Sequence, residues 1–326
     1  MYDKTLAKNW ADKDVKMVPT RNGYGDGVVI EGKKNKNIMV LCCDLTESTR
    51  SKGFKDAYPE RFLEIGVAEQ NLIGVATGLA LEGKVPFCSS YAVFNPGRNW
   101  DQIRVSVCYN KANVKIVGAH SGISVGPDGA THQGLEDIAI TRVLPNMTVL
   151  APCDYEETKK ATIEAAKMKG PVYLRFGRNA TAVFTTPKTH FEIGKANVFK
   201  EGSDVTIIAC GPLVYEALLV AKKLASIKIN AEVINNTTIK PLDNETILKS
   251  VRKTGAVVTV EEHQITGGLG GAISELTSKN YPVPIEFVGM PDSFGESGEP
   301  EELLKKYGMT QKDIISAVNR VLKRKK

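Results

Sequence analysis

Gly66-Val67-Ala68-Glu69-Gln70-Asn71-Leu72-Ile73-Gly74-Val75-Ala76-Thr77-Gly78-Leu79-Ala80-Leu81 repeats small and apolar residues at helical spacing. After Glu82-Gly83-Lys84 comes Val85-Pro86-Phe87-Cys88-Ser89-Ser90-Tyr91, apolar on both faces. The first pattern predicts a helix and the second a strand covered on both sides, as in a parallel sheet. The alternation continues outward. Strands are expected at 37–44, 114–120, 148–154 and 171–176, and helices at 100–109, 134–143 and 155–168. Strand-then-helix repetition of this kind predicts a sheet with helices on both faces. From 179 to 204, turn chemistry such as Thr185-Thr186-Pro187-Lys188-Thr189 replaces it. A second series follows, with strands at 205–210, 231–235, 256–261 and 285–288 and helices at 213–225, 244–253, 270–279 and 310–322. The expected architecture is therefore α/β, two doubly wound domains at 1–188 and 189–326.

Composition excludes several classes. Of 326 residues, 42% are hydrophobic and 25% charged, which suits a soluble globular chain and not a disordered, collagen-like or disulfide-dense one. The net charge of +6, from 43 basic and 37 acidic residues, is too dilute to imply nucleic acid. The run Lys323-Arg324-Lys325-Lys326 reads as a solvated tail. Residues 1–18 lack the apolar core of a signal peptide, and no apolar run approaches the roughly 20 residues of a membrane helix. Six cysteines without a CxxC pair argue against zinc, iron–sulfur and disulfide frameworks, and for reduced, buried thiols in a cytoplasmic protein.

Several polar groups carry candidate chemistry, each with a plainer alternative. Glu69 opens an apolar helix. It is either buried, and then paired or neutralised, or a first-turn carboxylate facing water. His120-Ser121 and Asp128-Gly129-Ala130-Thr131-His132-Gln133 follow the strand at 114–120, at the sheet edge where open α/β folds bind ligands. They form either a substrate-facing loop or a turn around a structural histidine. Tyr91 and Phe94 make a platform for a heteroaromatic ring or ordinary core packing. Arg21, Arg175 and Arg178 lie in or near loop-like glycine and asparagine contexts, free to reach a phosphate or simply solvated. Gly267-Gly268-Leu269-Gly270-Gly271 lacks GxGxxG spacing and reads as a tight turn rather than a phosphate cradle. His263, beside Glu261 and Glu262, reads as structural or interfacial.

Taken together, Glu60-Arg61-Phe62 through Gly66-Val67-Ala68-Glu69-Gln70-Asn71, the Asp128–Gln133 loop, and Pro145-Asn146-Met147 to Pro152-Cys153-Asp154 resemble the C-terminal half of transketolase. That half comprises a pyrimidine-binding domain and a smaller C-terminal domain, and the resemblance runs from about Val18 to the end. It implies that Glu69 hydrogen-bonds N1′ of thiamine diphosphate, favouring the imino tautomer that removes the thiazolium C2 proton. It implies that Tyr91 and Phe94 stack on the pyrimidine. His132, also catalytic, and Asp128 then contact hydroxyls of a ketose donor, while Arg21, Ser48, His120 and Arg178 hold the sugar phosphate. No metal site is implied on this chain. Gly25-Asp26-Gly27 mimics the opening of a metal–diphosphate motif, but no apolar strand precedes it and no paired asparagine follows. The diphosphate and its Mg2+ or Ca2+ are therefore expected on an N-terminal-type partner subunit, in an α2β2 assembly in which this chain also self-associates. The implied reaction moves a two-carbon ketol unit from a ketose phosphate to an aldose phosphate. Deoxyxylulose-phosphate synthase has a similar loop but tends to carry no histidine at the place of His120. The 2-oxo acid dehydrogenase β subunit normally lacks the Asp-Gly-x-Thr-His-Gln element. A non-catalytic stabilising subunit would not need Glu69, His120, Asp128, His132 and Arg178 together.

Overall fold

Strands Phe62–Glu64, Ile38–Cys42, Val85–Tyr91, Lys115–Ala119, Val172–Arg175, Thr148–Leu150 and Thr238–Lys240 lie side by side in that order. They form the first sheet of a computed structural model that describes residues 1–325. All run parallel except the last, which is antiparallel to Thr148–Leu150. The central strands are apolar on both faces because both faces are covered. Val40, Phe87, Val117 and Leu174 pack with Tyr24, Val28, Ala161 and Ala165 of the helices Thr20–Lys34 and Tyr155–Lys167. Leu41, Cys88, Ile116 and Tyr173 share the opposite core with Leu72 and Ile73 of the helix Glu69–Leu81 and Val107 of the π-helix Ile103–Tyr109.

The second sheet has the order Ile285–Met290, Val257–Gln264, Val205–Ala209, Ala231–Asn235 and Asn197–Lys200, with only the last strand antiparallel. Pleating sends neighbouring side chains to opposite faces. Ile207 packs with the helices Leu213–Ser226 and Gln311–Arg324, while Ile208 packs with Asn244–Thr254 and Leu269–Asn280. Both domains are doubly wound, as the alternation predicts.

The structure departs from the sequence reading at several places. The helix Thr20–Lys34 was not expected, because Gly23, Gly25, Gly27 and Gly32 depress helix propensity. Packing explains them: a Cβ on Gly23 would stand 2.3 Å from the Tyr155 carbonyl oxygen. Gly25-Asp26-Gly27 is therefore part of a close helix–helix contact, and Arg21 lies in a helical first turn rather than a loop. The helix Pro300–Lys306 and the short strands Ala180–Ala182 and Asn197–Lys200 were also unanticipated. Thr148–Leu150 ends early so that Asp154 can cap the following helix, accepting from Glu157 N at 2.9 Å.

Arg175 is corrected outright. It is buried in its strand, with Nε 2.8 Å from Asp137 Oδ2, and Tyr173 donates to the same oxygen at 2.7 Å. Burial works against the guanidinium charge, but Asp137 outweighs it and holds the Arg175 pKa above its ordinary value. Arg175 Nη2 also donates to the Glu262 carbonyl at 2.7 Å, which ties the two domains together. His263 is buried at the same interface: its Nδ1 lies 2.7 Å from Gln264 O, and its Nε2 receives the Ala139 amide at 3.3 Å. The glycine run near it holds no free anion seat, because Glu261 accepts from Leu269 N and Gly270 N at 2.7 Å each.

The chain also crosses between domains. Thr238–Lys240 returns to the first sheet, while Leu6 and Val15 pack into the core of the second domain. All six cysteines are buried and unbonded. Arg324 pairs with Glu286, and Lys325 donates to Asp204 O at 3.1 Å; Lys326 lies outside the described residues. Among the described residues, no helix is long and apolar enough to cross a membrane.

Gly23→Ala is expected to cost about 1–3 kcal/mol through overpacking of the two helices. Gly78→Ala, in a helix with open space at that position, is expected to be neutral or stabilising by up to ~1 kcal/mol. Urea denaturation of the two variants checks the contrast.

Candidate active site

Parallel strands align their carboxyl ends, and the predicted site residues gather along that edge. Ser48 follows Ile38–Cys42, and Glu69 follows Phe62–Glu64. Tyr91 ends Val85–Tyr91, with Phe94 just beyond it. His120, Asp128 and His132 follow Lys115–Ala119, and Arg178 follows Val172–Arg175. The chain switches sides of the sheet between Ile38–Cys42 and Val85–Tyr91, the topological position where open α/β sheets form a ligand crevice.

Glu69 is buried, at 1% exposure, which decides between its two readings. A carboxylate withdrawn from water needs donors. Ser90 Oγ supplies one to Oε1 at 3.1 Å, and Arg98 Nη1 another to Oε2 at 2.7 Å. Asn99 Nδ2 fixes the Glu69 carbonyl at 3.0 Å, and Asn95 pins the same loop by donating to Cys88 O and Val117 O. The sequence reading missed Arg98, Ser90, Asn95 and Asn99. One signal was present for Arg98: a buried carboxylate demands a cation, and Arg98 is the sole arginine between Arg61 and Arg104.

Tyr91 and Phe94 stand 6.4 Å apart at 24°, and the half-buried His132 ring meets Phe94 edge-on at 5.3 Å. Tyr91 stacks on His120 at 4.3 Å. Tyr91 and Phe94 are only partly buried, so they flank the crevice rather than filling the core.

His120 sits in the left-handed region at φ 53°, and Arg21 Nη1 lies 2.9 Å from both its Nε2 and the Ser48 carbonyl. Nε2 also stands 3.2 Å from the Ser48 carbonyl, so it accepts from Arg21 when the proton is on Nδ1 and donates to Ser48 when it carries the proton itself. That buried Nδ1 has no partner among the described residues. The ring is neutral: burial, then the charges of Arg21 and Arg178, push its pKa down to about 3. Arg21 is itself lowered, by burial and by Arg50 and Arg178. The arginines thus concentrate positive charge around an uncharged imidazole.

Arg178 Nη1 reaches Asp128 Oδ1 at 3.2 Å and Val125 O at 2.9 Å. Asp128 and Arg178, assigned to different parts of a substrate, are therefore partners here, in a solvent-screened pair of small energetic weight. His132 Nδ1 contacts Thr131 Oγ1 at 2.8 Å. The second domain supports this loop: Gln133 Nε2 donates to Glu296 O at 2.9 Å, and Ser124 N to Glu262 Oε1 at 2.6 Å.

Comparison with known proteins places this edge in context. A transketolase pyrimidine binding domain model matches residues 16–183, and a transketolase C-terminal domain model matches residues 194–314. A solved structure described as a split gene transketolase, inactive β4 tetramer, is 47% identical and covers 95% of this chain and 100% of its own, with a TM-score of 0.89. The 6-deoxy-6-sulfo-D-fructose transketolase subunit of Clostridium sp. (strain MSTE9) is 43% identical, over 94% of this chain and 95% of its own length. An apulose-4-phosphate transketolase subunit of Phocaeicola vulgatus is 36% identical, over 94% and 99%.

The neutral His120 predicts a pH dependence. Its folded pKa lies below the ordinary 6.5, so between about pH 6.5 and 3 the unfolded chain binds a proton that the folded chain refuses. Stability is full above that window and falls as the pH drops through it. Urea midpoints of the wild-type chain should decline more steeply from pH 7 to 5 than those of His120→Gln. Equal slopes would contradict the neutral assignment.

Proposed function

The chain belongs to the transketolase family, with that family's pyrimidine-binding and C-terminal domains on one polypeptide, and from this premise we propose that it is the C-terminal-type subunit of a split transketolase. It acts with an N-terminal-type subunit, in an α2β2 assembly in which this chain self-associates, in the cytoplasm. The observation that carries the reading is the convergence of buried Glu69, the Tyr91 and Phe94 rings, and the arginine–histidine cluster on one sheet edge. The relatives matched along their whole length are transketolase subunits, which disfavours the synthase-like and dehydrogenase-like alternatives. We place the domain division at residue 188, between the spans matched by the two family models.

Thiamine diphosphate, when bound, supplies the nucleophilic carbon that carries the two-carbon unit. The residues present fit its pyrimidine end: a buried acid partner, with aromatic faces beside it. Glu69 would hold the pyrimidine N1′, in a low-dielectric setting that strengthens a shared proton. Tyr91 and Phe94 would orient the ring. The partner subunit would hold the diphosphate and its Mg2+ or Ca2+. His132 keeps Nδ1 on Thr131, which leaves Nε2 to hold or move a proton at a substrate hydroxyl, and Asp128 accepts from another. Arg21 and Arg178, with the Ser48 loop and His120 between them, would clamp an anionic terminus. Two relatives are named for substrates with a sulfonate or phosphate end, which is the chemistry an arginine cluster accepts. We therefore assign a sugar phosphate to this chain.

Assayed alone with thiamine diphosphate and Mg2+, the chain should transfer no ketol unit; robust transfer without a partner would sink the two-subunit reading. In the reconstituted complex, Glu69→Gln should lower kcat about 10²-fold or more. Near-normal turnover of that variant would favour a stabilising, non-catalytic role.

A further inference from the structure

Arg98 bridges two groups that the proposed function assigns to the coenzyme. Its guanidinium carbon stands 4.6 Å from the centroid of the Phe94 ring, and its Nη1 is 2.7 Å from Glu69 Oε2. A flat, delocalised, N–H-bearing group therefore lies over Phe94 and aims a donor into the buried carboxylate. The aminopyrimidine ring is flat and nitrogen-bearing as well, and it makes the same two demands: an aromatic face and the Glu69 carboxylate. We propose that Arg98 is a placeholder for the pyrimidine, closing its seat in the coenzyme-free subunit and swinging out to solvent when the coenzyme enters. This deepens the reading of Glu69 given above and rests on it.

The two ends of the contact are held very differently. Glu69 is anchored by Ser90 on its side chain and by Asn99 on its backbone. Arg98 has a side chain that is 45% exposed, and among the described residues that side chain makes no other hydrogen bond. An exposed guanidinium returns to water at little cost. A buried carboxylate stripped of its donor is strongly disfavoured. The arrangement keeps Glu69 paired in the empty subunit and yields to a ligand that brings its own donor. The empty seat is also denied to stray cations and water.

The test is coenzyme affinity rather than turnover. Thiamine diphosphate with Mg2+ is titrated calorimetrically into the complex reconstituted with the N-terminal-type subunit, using wild type, Arg98→Met, Arg98→Lys and Glu69→Gln. If Arg98 closes the seat about nine-tenths of the time, Arg98→Met should bind ~10-fold more tightly. Its coenzyme-free complex should also melt at a lower temperature than wild type, because Glu69 has lost its partner. Arg98→Lys, which keeps the charge but not the flat face, should bind more tightly than wild type and less tightly than Arg98→Met. It decides the matter alone if Arg98→Met does not fold by circular dichroism. Equal or weaker binding by the Arg98 variants, with Glu69→Gln weakened, would overturn the placeholder and leave the Glu69 assignment standing. Wild-type affinity in Glu69→Gln would instead overturn that assignment and the placeholder with it.

Discussion

Arg175 and Asp137 meet at 2.8 Å in nearly complete burial, and the rest of the structure leans on that contact. Two charges taken out of water are held more firmly the more further hydrogen bonds they make. Tyr173 supplies one to the carboxylate, and the Glu262 carbonyl accepts one from the guanidinium. The strand Val172–Arg175, the helix Asp137–Arg142 and the second domain's strand Val257–Gln264 are thereby joined at one point. Glu262 continues the chain of contacts with its carboxylate, taking the Ser124 amide at the start of the loop that carries Asp128 and His132. The second domain presents no obvious chemistry of its own, yet the shape of this loop depends on it.

The alternation of strands and helices was legible because each core strand is covered on both sides, which leaves continuous apolar runs in the sequence. The helix Thr20–Lys34 was illegible for the opposite reason. Gly23 and Gly27 serve a neighbouring helix that lies more than a hundred residues further along, Gly25 and Gly32 make room for Arg50 and Phe54, and local propensity counts all four only as breakers. Among the candidate site residues, Glu69, Tyr91, Phe94, His120 and His132 stood out because they stand in unusual local patterns. Arg98 did not stand out by its own neighbours, since its meaning comes from a carboxylate on a different segment. Arg175 misled for a related reason: beside a glycine-containing turn it resembles an anion-binding arginine, and only the fold reveals Asp137 against it.

The edge of the first sheet also separates two electrostatic tasks. Around Glu69 a single negative charge is buried and matched by one cation that is free to leave. Around Arg21, positive charges are crowded together, and the imidazole between them stays neutral rather than adding to them. His120 can do this because burial and the charges of Arg21 and Arg178 all disfavour a second proton on its ring. The left-handed backbone at His120 is a cost tolerated to place that ring against both Arg21 and Tyr91.

The return of Thr238–Lys240 to the first sheet bears on how such a chain can be made and divided. During synthesis the Thr148–Leu150 edge remains open until residue 240 has emerged, so the first domain leaves the ribosome with unpaired backbone that invites misassembly. The second domain draws residues near Leu6 into its own core in exchange. A genetic cut between the two domains would leave one with a bare edge and the other without its packing segment. The two domains are thus interlocked by chain exchanged in both directions.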